Sequence, residues 1–325
     1  MFIPGLSTET KREAVVSGAF SGIGRNKLSI IRKIAWVVGK LLPFVQRYTM
    51  KTKVTFGLTN GAGVVGHDRI ANLFGTAREL FGLSRIPGFA KEVGQKYLLK
   101  TCDADYCHEA DFRFGDTIKI VIDVTEVNGA SFKLRGWFID KDTGKICATA
   151  LQTIAYTNMQ GRPVRFPSWL KILLELSRSQ DLIEDDAAKN KEVSDGREIS
   201  LRQVVVTSDM TNAERNVNHD EYAKMLTQTV ELFFLNGACD RQVCSLGVEA
   251  SYYKYNRDFF FGDSIMIKLK MVEVEEKSAV FSAEFCDQTG KVCAFGRQKI
   301  RFFNQDGEIV GTPLAIRVMP LHRVA

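Results

Sequence analysis

Two polar stretches 152 residues apart carry the groups that could do chemistry. They are Thr59-Asn60-Gly61-Ala62-Gly63-Val64-Val65-Gly66-His67-Asp68 and Thr211-Asn212-Ala213-Glu214-Arg215-Asn216-Val217-Asn218-His219-Asp220. Each runs into a segment of helical spacing, ending near Leu83 in one copy and Leu235 in the other. Glu79 and Glu231 recur at matching helix positions. A polar loop that opens a helix presents backbone N–H groups and the positive end of the helix dipole, which suits an oxygen gaining negative charge. One such donor to an oxyanion is worth about 2.7–4 kcal/mol. The amides from Gly63 to His67 and from Arg215 to His219 are the expected donors, and glycine at 63 and 66 allows close approach. Asn60 and Asn212 are amides, so neither can serve as a general base or nucleophile at neutral pH.

These junctions need elements to hold them. Ile70, Leu73, Phe74, Ala77, Leu80 and Phe81 fall on one helical face, repeated by Tyr222, Met225, Leu226, Thr229, Leu232 and Phe233. Val54-Thr55-Phe56 reads as a short strand before the first loop. After each helix come strands: Phe114-Gly115-Asp116 matches Phe261-Gly262-Asp263, and Thr143-Gly144-Lys145-Ile146-Cys147-Ala148 matches Thr289-Gly290-Lys291-Val292-Cys293-Ala294. Asp142 to Lys145 and Asp287 to Lys291 have hairpin-turn composition. Each half is thus a helix followed by an antiparallel meander, an α+β arrangement used twice. The expected limits are an N-terminal arm over 1–50, domains over 51–167 and 201–325, and between them a helix (Trp169 to Leu176) with a polar, net negative linker over 168–200.

With 325 residues, 45% hydrophobic and 25% charged, the chain can bury two cores. No run approaches the roughly 20 apolar residues of a membrane-crossing helix, and no secretion signal opens the chain, so a cytoplasmic location is expected. The first 53 residues hold ten Lys/Arg against two Glu, so the remainder of the +6 chain is net negative and a nucleic-acid surface on the main body is not expected. Residues 27–47 read as a basic amphipathic helix, suited to packing on the body, to peripheral membrane contact or to an acidic partner. Val15 to Gly24 imitates a dinucleotide-binding glycine turn, but the alternating strand–helix unit such a turn requires does not follow it. The seven cysteines are scattered without Cys-x-x-Cys spacing, which suggests neither a disulfide framework nor a metal site.

A polar loop, a long helix, Phe-Gly-Asp opening a strand and a Gly-Lys turn before Cys-Ala resemble the hotdog-fold thioesterases of acyl-CoA and acyl-carrier-protein substrates, over residues 51–167 and again over 201–316. Val217-Asn218-His219-Asp220-Glu221-Tyr222 resembles the family's Val-Asn-Asn-x-x-Tyr run. The resemblance implies a tandem, double hotdog in which each curled antiparallel sheet wraps one long helix, the halves form an intrachain pseudo-dimer open to further oligomerisation, and sites lie between the halves. It implies no bound cofactor, since the substrate carries its own coenzyme A or phosphopantetheine. The first half is closer to the enediyne polyketide thioesterases, where an Asn of the loop works with an Arg on the helix. Asn60 with Arg78 matches that pair, and position 230 departs from it with Val.

The implied catalytic residues are Asn60, Arg78, Glu79, Asn212 and His219. Gly63, Val64, Val65, Gly66, His67, Asn216, Asn218 and Tyr222 are the implied substrate contacts. Each has a structural alternative: Asn60 and Asn212 as turn formers, Arg78 paired with Glu79 or another acid, the histidines as duplicated core residues, and Glu79 and Glu231 as exposed carboxylates. Thioester hydrolysis in fatty-acid or polyketide metabolism is the leading expectation. A double-hotdog hydratase or dehydratase, motivated by Asn216 to Asp220, and a non-catalytic acyl-thioester-binding module remain as alternatives.

Overall fold

The computed structural model describes residues 47–60, 63–85, 96–178, 196–212, 215–235 and 243–317. The basic amphipathic helix expected over residues 27–47, save Arg47, and most of the acidic linker lie outside them. Residues Arg47–Ala325 form one compact unit.

The first half consists of β1 (Tyr48–Lys53), α1 (His67–Arg85), β2 (Tyr97–His108), β3 (Thr117–Val127), β4 (Ser131–Asp140), β5 (Ile146–Asn158) and α2 (Ser168–Leu176). The second consists of β6 (Arg197–Val205), α3 (His219–Phe233), β7 (Ser245–Tyr255), β8 (Ser264–Val274), β9 (Ser278–Cys286), β10 (Val292–Phe303), β11 (Ile309–Val310) and α4 (Leu314–Arg317). The short strand expected at Val54 to Phe56 is displaced. The strand is β1, whose half-buried Tyr48, Met50 and Thr52 alternate with exposed Thr49, Lys51 and Lys53, and Phe56–Leu58 is a single 3-10 turn. Lysines on the outward face hid the period-two pattern behind charge.

All strands join one antiparallel sheet in the order β1-β3-β4-β5-β2-β7-β10-β9-β8-β6, with β11 alongside β10. This order is palindromic about the β2–β7 pairing. There Asp105 lies opposite Tyr252, residues that occupy equivalent positions in the two repeats, so the pseudo-two-fold axis passes between them. The Gly-Lys turns form as expected, with Gly144 and Gly290 at φ +73° and +83°, a left-handed geometry that favours glycine.

Each helix lies on its half of the sheet because its apolar stripe has nowhere else to go. Ile70, Leu73, Phe74, Ala77 and Phe81 of α1 are buried, each large side chain worth about 1.5–3 kcal/mol. Tyr222, Ala223, Met225, Leu226 and Val230 do the same on α3. Leu80 and Leu232, which the spacing places on the apolar face, are partly exposed at the stripe's margin. The two helices also meet each other near their first turns: Asn72 Nδ2 donates to Asp220 at 2.7 Å.

The sheet is shaped to accept α1 at Gly136, where a Cβ would stand 2.3 Å from the Phe74 ring. Phe74 is fully buried and packs on Phe138, so it has no free path aside. Gly136→Ala is expected to lower unfolding free energy by about 1–3 kcal/mol, the usual cost of overpacking, in urea titration. An unchanged midpoint would show that the ring yields without cost.

Candidate active site

The two loop–helix junctions share a backbone design. Asn60 Oδ1 accepts from Val64 N at 3.3 Å, and Asn212 Oδ1 accepts from Asn216 N at 3.1 Å. The N–H groups of Gly63, Val65 and Gly66 bond Asn60, Phe112 and Leu58 carbonyls, and those of Arg215, Val217 and Asn218 bond Asn212, Phe259 and Met210. Most amides expected to face a ligand are therefore spent in closing their own loops. The amides of His67 and Asp68, and of His219 and Asp220, sit in the first helical turns and have no backbone acceptor among the described residues. Helix geometry requires this, because the first N–H groups have no carbonyl one turn behind them.

The junctions then diverge. His67 is buried and fully occupied: Nδ1 lies 2.7 Å from His108 Nε2, and Nε2 lies 3.0 Å from Ser251 Oγ and 3.2 Å from the Tyr253 hydroxyl. Ser251 and Tyr253 belong to β7, so this network ties the first helix to the second half. His219 has no such set. Its ring lies over Gly75 of α1, where a Cβ would stand 2.9 Å from Cε1, and its sealed Nε2 has no hydrogen-bond partner.

Arg78 is the main difference between the helices, its counterpart being Val230. Its Nη1 donates to Thr101 Oγ1 at 2.7 Å and to Gln152 Oε1 at 3.0 Å. Gln152 in turn donates to the Tyr106 hydroxyl at 2.9 Å. No carboxylate reaches ion-pair distance of Arg78 among the described residues, and Nε and Nη2 make no bond. Gln298, the counterpart of Gln152, bonds Tyr253 at 2.7 Å and Thr227 at 2.9 Å through one end of its amide; the other end has no partner.

Burial lowers the Arg78 pKa, and Asp220 and Tyr255 of the second half act on its charge alongside Glu79 and Tyr106. Burial first, and then the Arg78 charge, push His219 down to about 3, so its imidazole is neutral. Arg78 is thus near enough to the start of α3 for its charge to be felt there. Beside it, Asn216 is 9% exposed with Oδ1 unpartnered, while its Nδ2 reaches Asp258 at 3.4 Å. Asp258 is held by Lys100 of β2.

The remaining sequence candidates are placed as follows. Asn60 and Asn212 are exposed turn formers by their resolved bonds, and Glu79 is exposed on α1. Glu231 is also exposed; burial of part of its carboxyl and the Asp68 charge raise its pKa. Val64 bridges Arg113, Val65 is core, and Asn218 caps α3 without a side-chain bond. Tyr222 is buried against Tyr255 and Phe285. Sequence reasoning passed over Thr101, Tyr106, Gln152, His108, Ser251, Tyr253 and Gln298. The available signal was a glutamine recurring in the middle of the last long strand of each half, between residues that point to the core.

An antiparallel sheet carrying two helices, with polar junctions at their starts, is the architecture in which the comparisons with known proteins place this chain. The chain belongs to the thioesterase-like superfamily, whose family model matches residues 54–174 and 205–321. Among solved structures it is similar to the 12:0-ACP thioesterase from Umbellularia californica, at 12% identity and TM-score 0.68, covering 80% of this chain and 99% of that one. An acyl-ACP thioesterase from Bacteroides thetaiotaomicron matches at 15% identity and TM-score 0.62, covering 78% and 97%. The dynemicin thioesterase matches a shorter span, 42% of this chain and 100% of its own, at 22% identity and TM-score 0.39. A search of curated proteins finds no match. No helix among the described residues is long and apolar enough to cross a membrane.

One buried histidine, His67, and two half-buried ones, His108 and His219, make stability depend on pH. His108 is held at about 4, His219 at about 3 and His67 well below 6.5, all chiefly by burial. Below about pH 6.5 the unfolded chain takes up protons at these rings and the folded chain does not, so stability is full above that pH and is lost as pH falls. The loss is at most about 1.4 kcal/mol per pH unit for each histidine. Urea midpoints should fall between pH 7 and 5, less steeply in His108→Gln. Equal midpoints in the wild type would contradict neutral burial.

Proposed function

We propose that the protein hydrolyses acyl thioesters of carrier protein or coenzyme A on a double-hotdog scaffold, at one composite site formed by Arg78 of the first half and the start of α3 in the second. The observation that carries this reading is the Arg78 guanidinium. It is half-buried, unpaired with any carboxylate among the described residues, and has Nε and Nη2 uncommitted while its charge acts on His219. A charge partly withdrawn from water and left without a charged partner is costly, so such an arrangement is expected where a ligand completes it.

In this reading the thioester carbonyl lies between Arg78 and the His219 and Asp220 amides, which stabilise the negative charge that develops on oxygen. Water is the nucleophile. The two unpartnered acceptors, His219 Nε2 and Asn216 Oδ1, orient it by accepting its protons in hydrogen bonds. With its pKa near 3, His219 is a weak base and serves mainly to direct the lone pair of the water toward the carbonyl. Attack gives a tetrahedral intermediate; its collapse releases the carboxylic acid and the thiol, with the proton of water passing to the departing sulfur. Thr101 and Gln152 fix the guanidinium from behind. The first junction, with His67 fully bonded and Val230 opposite in place of an arginine, lacks these features.

Thiol release from acyl-CoA, acyl-carrier protein and acyl-N-acetylcysteamine tests the reading. Arg78→Ala should lower kcat/KM by about 10²–10³ while the protein stays folded, the scale of losing an oxyanion donor. His219→Ala, which keeps the backbone amide but removes the nitrogen that orients water, should lower it as well. If Asn60→Ala gives that loss and His219→Ala none, the first junction carries turnover and the composite site is wrong. Absence of release from every thioester, with hydration of an enoyl thioester, would replace hydrolysis by the hydratase alternative.

A further inference from the structure

The loop leading to α3 carries a second departure from its counterpart. Arg215 has φ +65° and is the one non-glycine residue with positive φ among the described residues. At the equivalent place the first half has Gly63, at φ +74°. A side-chain-bearing residue loses stability in this left-handed region where glycine does not. The conformation is thus tolerated in the second half for a residue that is poorly suited to it, which directs attention to the side chain.

That side chain is exposed, and its guanidinium lies 4.8 Å over the Phe261 ring, itself 47% exposed. The Phe261 N–H donates to the Arg215 carbonyl at 2.9 Å, tying ring and cation to one loop. Stacking on an aromatic face limits the freedom of a long side chain while leaving its N–H edge available. No carboxylate pairs with Arg215 among the described residues. The next residue inward is Asn216, nine-tenths buried with its Oδ1 unpartnered. One short loop therefore presents a pre-oriented cation to solvent and, immediately inside, a buried polar atom that lacks a partner.

We infer that Arg215 binds the phosphate of the phosphopantetheine arm on which the acyl thioester is delivered, a group shared by coenzyme A and holo carrier protein. The inference rests on the proposed thioester site at the start of α3. The arm is anionic where it meets its carrier and ends in the buried thioester, and the loop offers the matching order, with Arg215 outside and Asn216 and His219 within. A planar guanidinium suits a phosphate through paired N–H donors. The first-half loop has Gly63 instead and offers no equivalent cation.

The test compares one acyl chain on coenzyme A, on carrier protein and on N-acetylcysteamine, which has no phosphate. Arg215→Ala and Arg215→Gly should raise KM for both phosphate-bearing substrates by about tenfold, relative to N-acetylcysteamine thioester in the same variant. Arg215→Gly should melt no lower than the wild type, since it relieves the backbone. The inference is overturned if the KM ratio does not move, if all three substrates lose equally, or if the rise is confined to acyl-CoA, which would assign Arg215 to the nucleotide's phosphates. Calorimetry separates this from failure of the hydrolytic reading. Whatever the turnover, coenzyme A should bind the wild type at least about tenfold more tightly than pantetheine, and Arg215→Ala should lose that preference. Equal affinity in the wild type would reject the site.

Discussion

The antiparallel pairing of β2 with β7, Asp103 to Cys107 against Ala250 to Lys254, is the contact on which the rest of the structure depends. It converts two sheets into one and removes an open edge from each half, where unpaired N–H and C=O groups would otherwise seek another chain. It also sets the axis that brings the first turns of α1 and α3 together. Because of that axis, a side chain on one helix can address the junction of the other. The polar networks follow the same logic: β7 supplies Ser251 and Tyr253 to His67, and β2 supplies Lys100 to Asp258.

Within this near-symmetric frame, a few side chains set the electrostatics. An arginine at 78 fills the far end of the Gln152 amide and projects charge on His219; a valine at 230 does neither. His67 closes its own surroundings through His108, whereas the corresponding β7 residue, Tyr255, bonds the His219 backbone carbonyl at 3.1 Å and leaves ring Nε2 without a partner. Equal folds at the two junctions thus give one saturated and one unsaturated set of polar groups.

Much of this frame was legible in the chain itself. The repeat, the helices, the Gly-Lys turns and the α+β meander follow from local spacing and turn chemistry, which act over a few residues. The family resemblance read from those motifs agrees with the superfamily match and the structural neighbours. Three things were not legible, for physical reasons. β1 was misplaced because lysines fill its outward face. Of the amides expected as donors, only those of His67 and His219 are left without a backbone or side-chain acceptor among the described residues, because bonds within each loop and to Phe112, Leu58, Phe259 and Met210 use the others. The surroundings of Arg78 depend on the β2–β5 pairing, which no local pattern encodes, so the family resemblance joined it to Asn60 while its hydrogen bonds go to Thr101 and Gln152.

The unpartnered end of the Gln298 amide carries a wider consequence. A buried polar group left unsatisfied costs about 1–3 kcal/mol. In a dimer of identical subunits every substitution appears on both sides of the axis, so the loss of an arginine would remove both copies of its site and incur that penalty twice. A fused repeat breaks that obligation. Each side can change alone, and a chain of this kind can lose polar chemistry at one junction, at a single such cost, while the other keeps it.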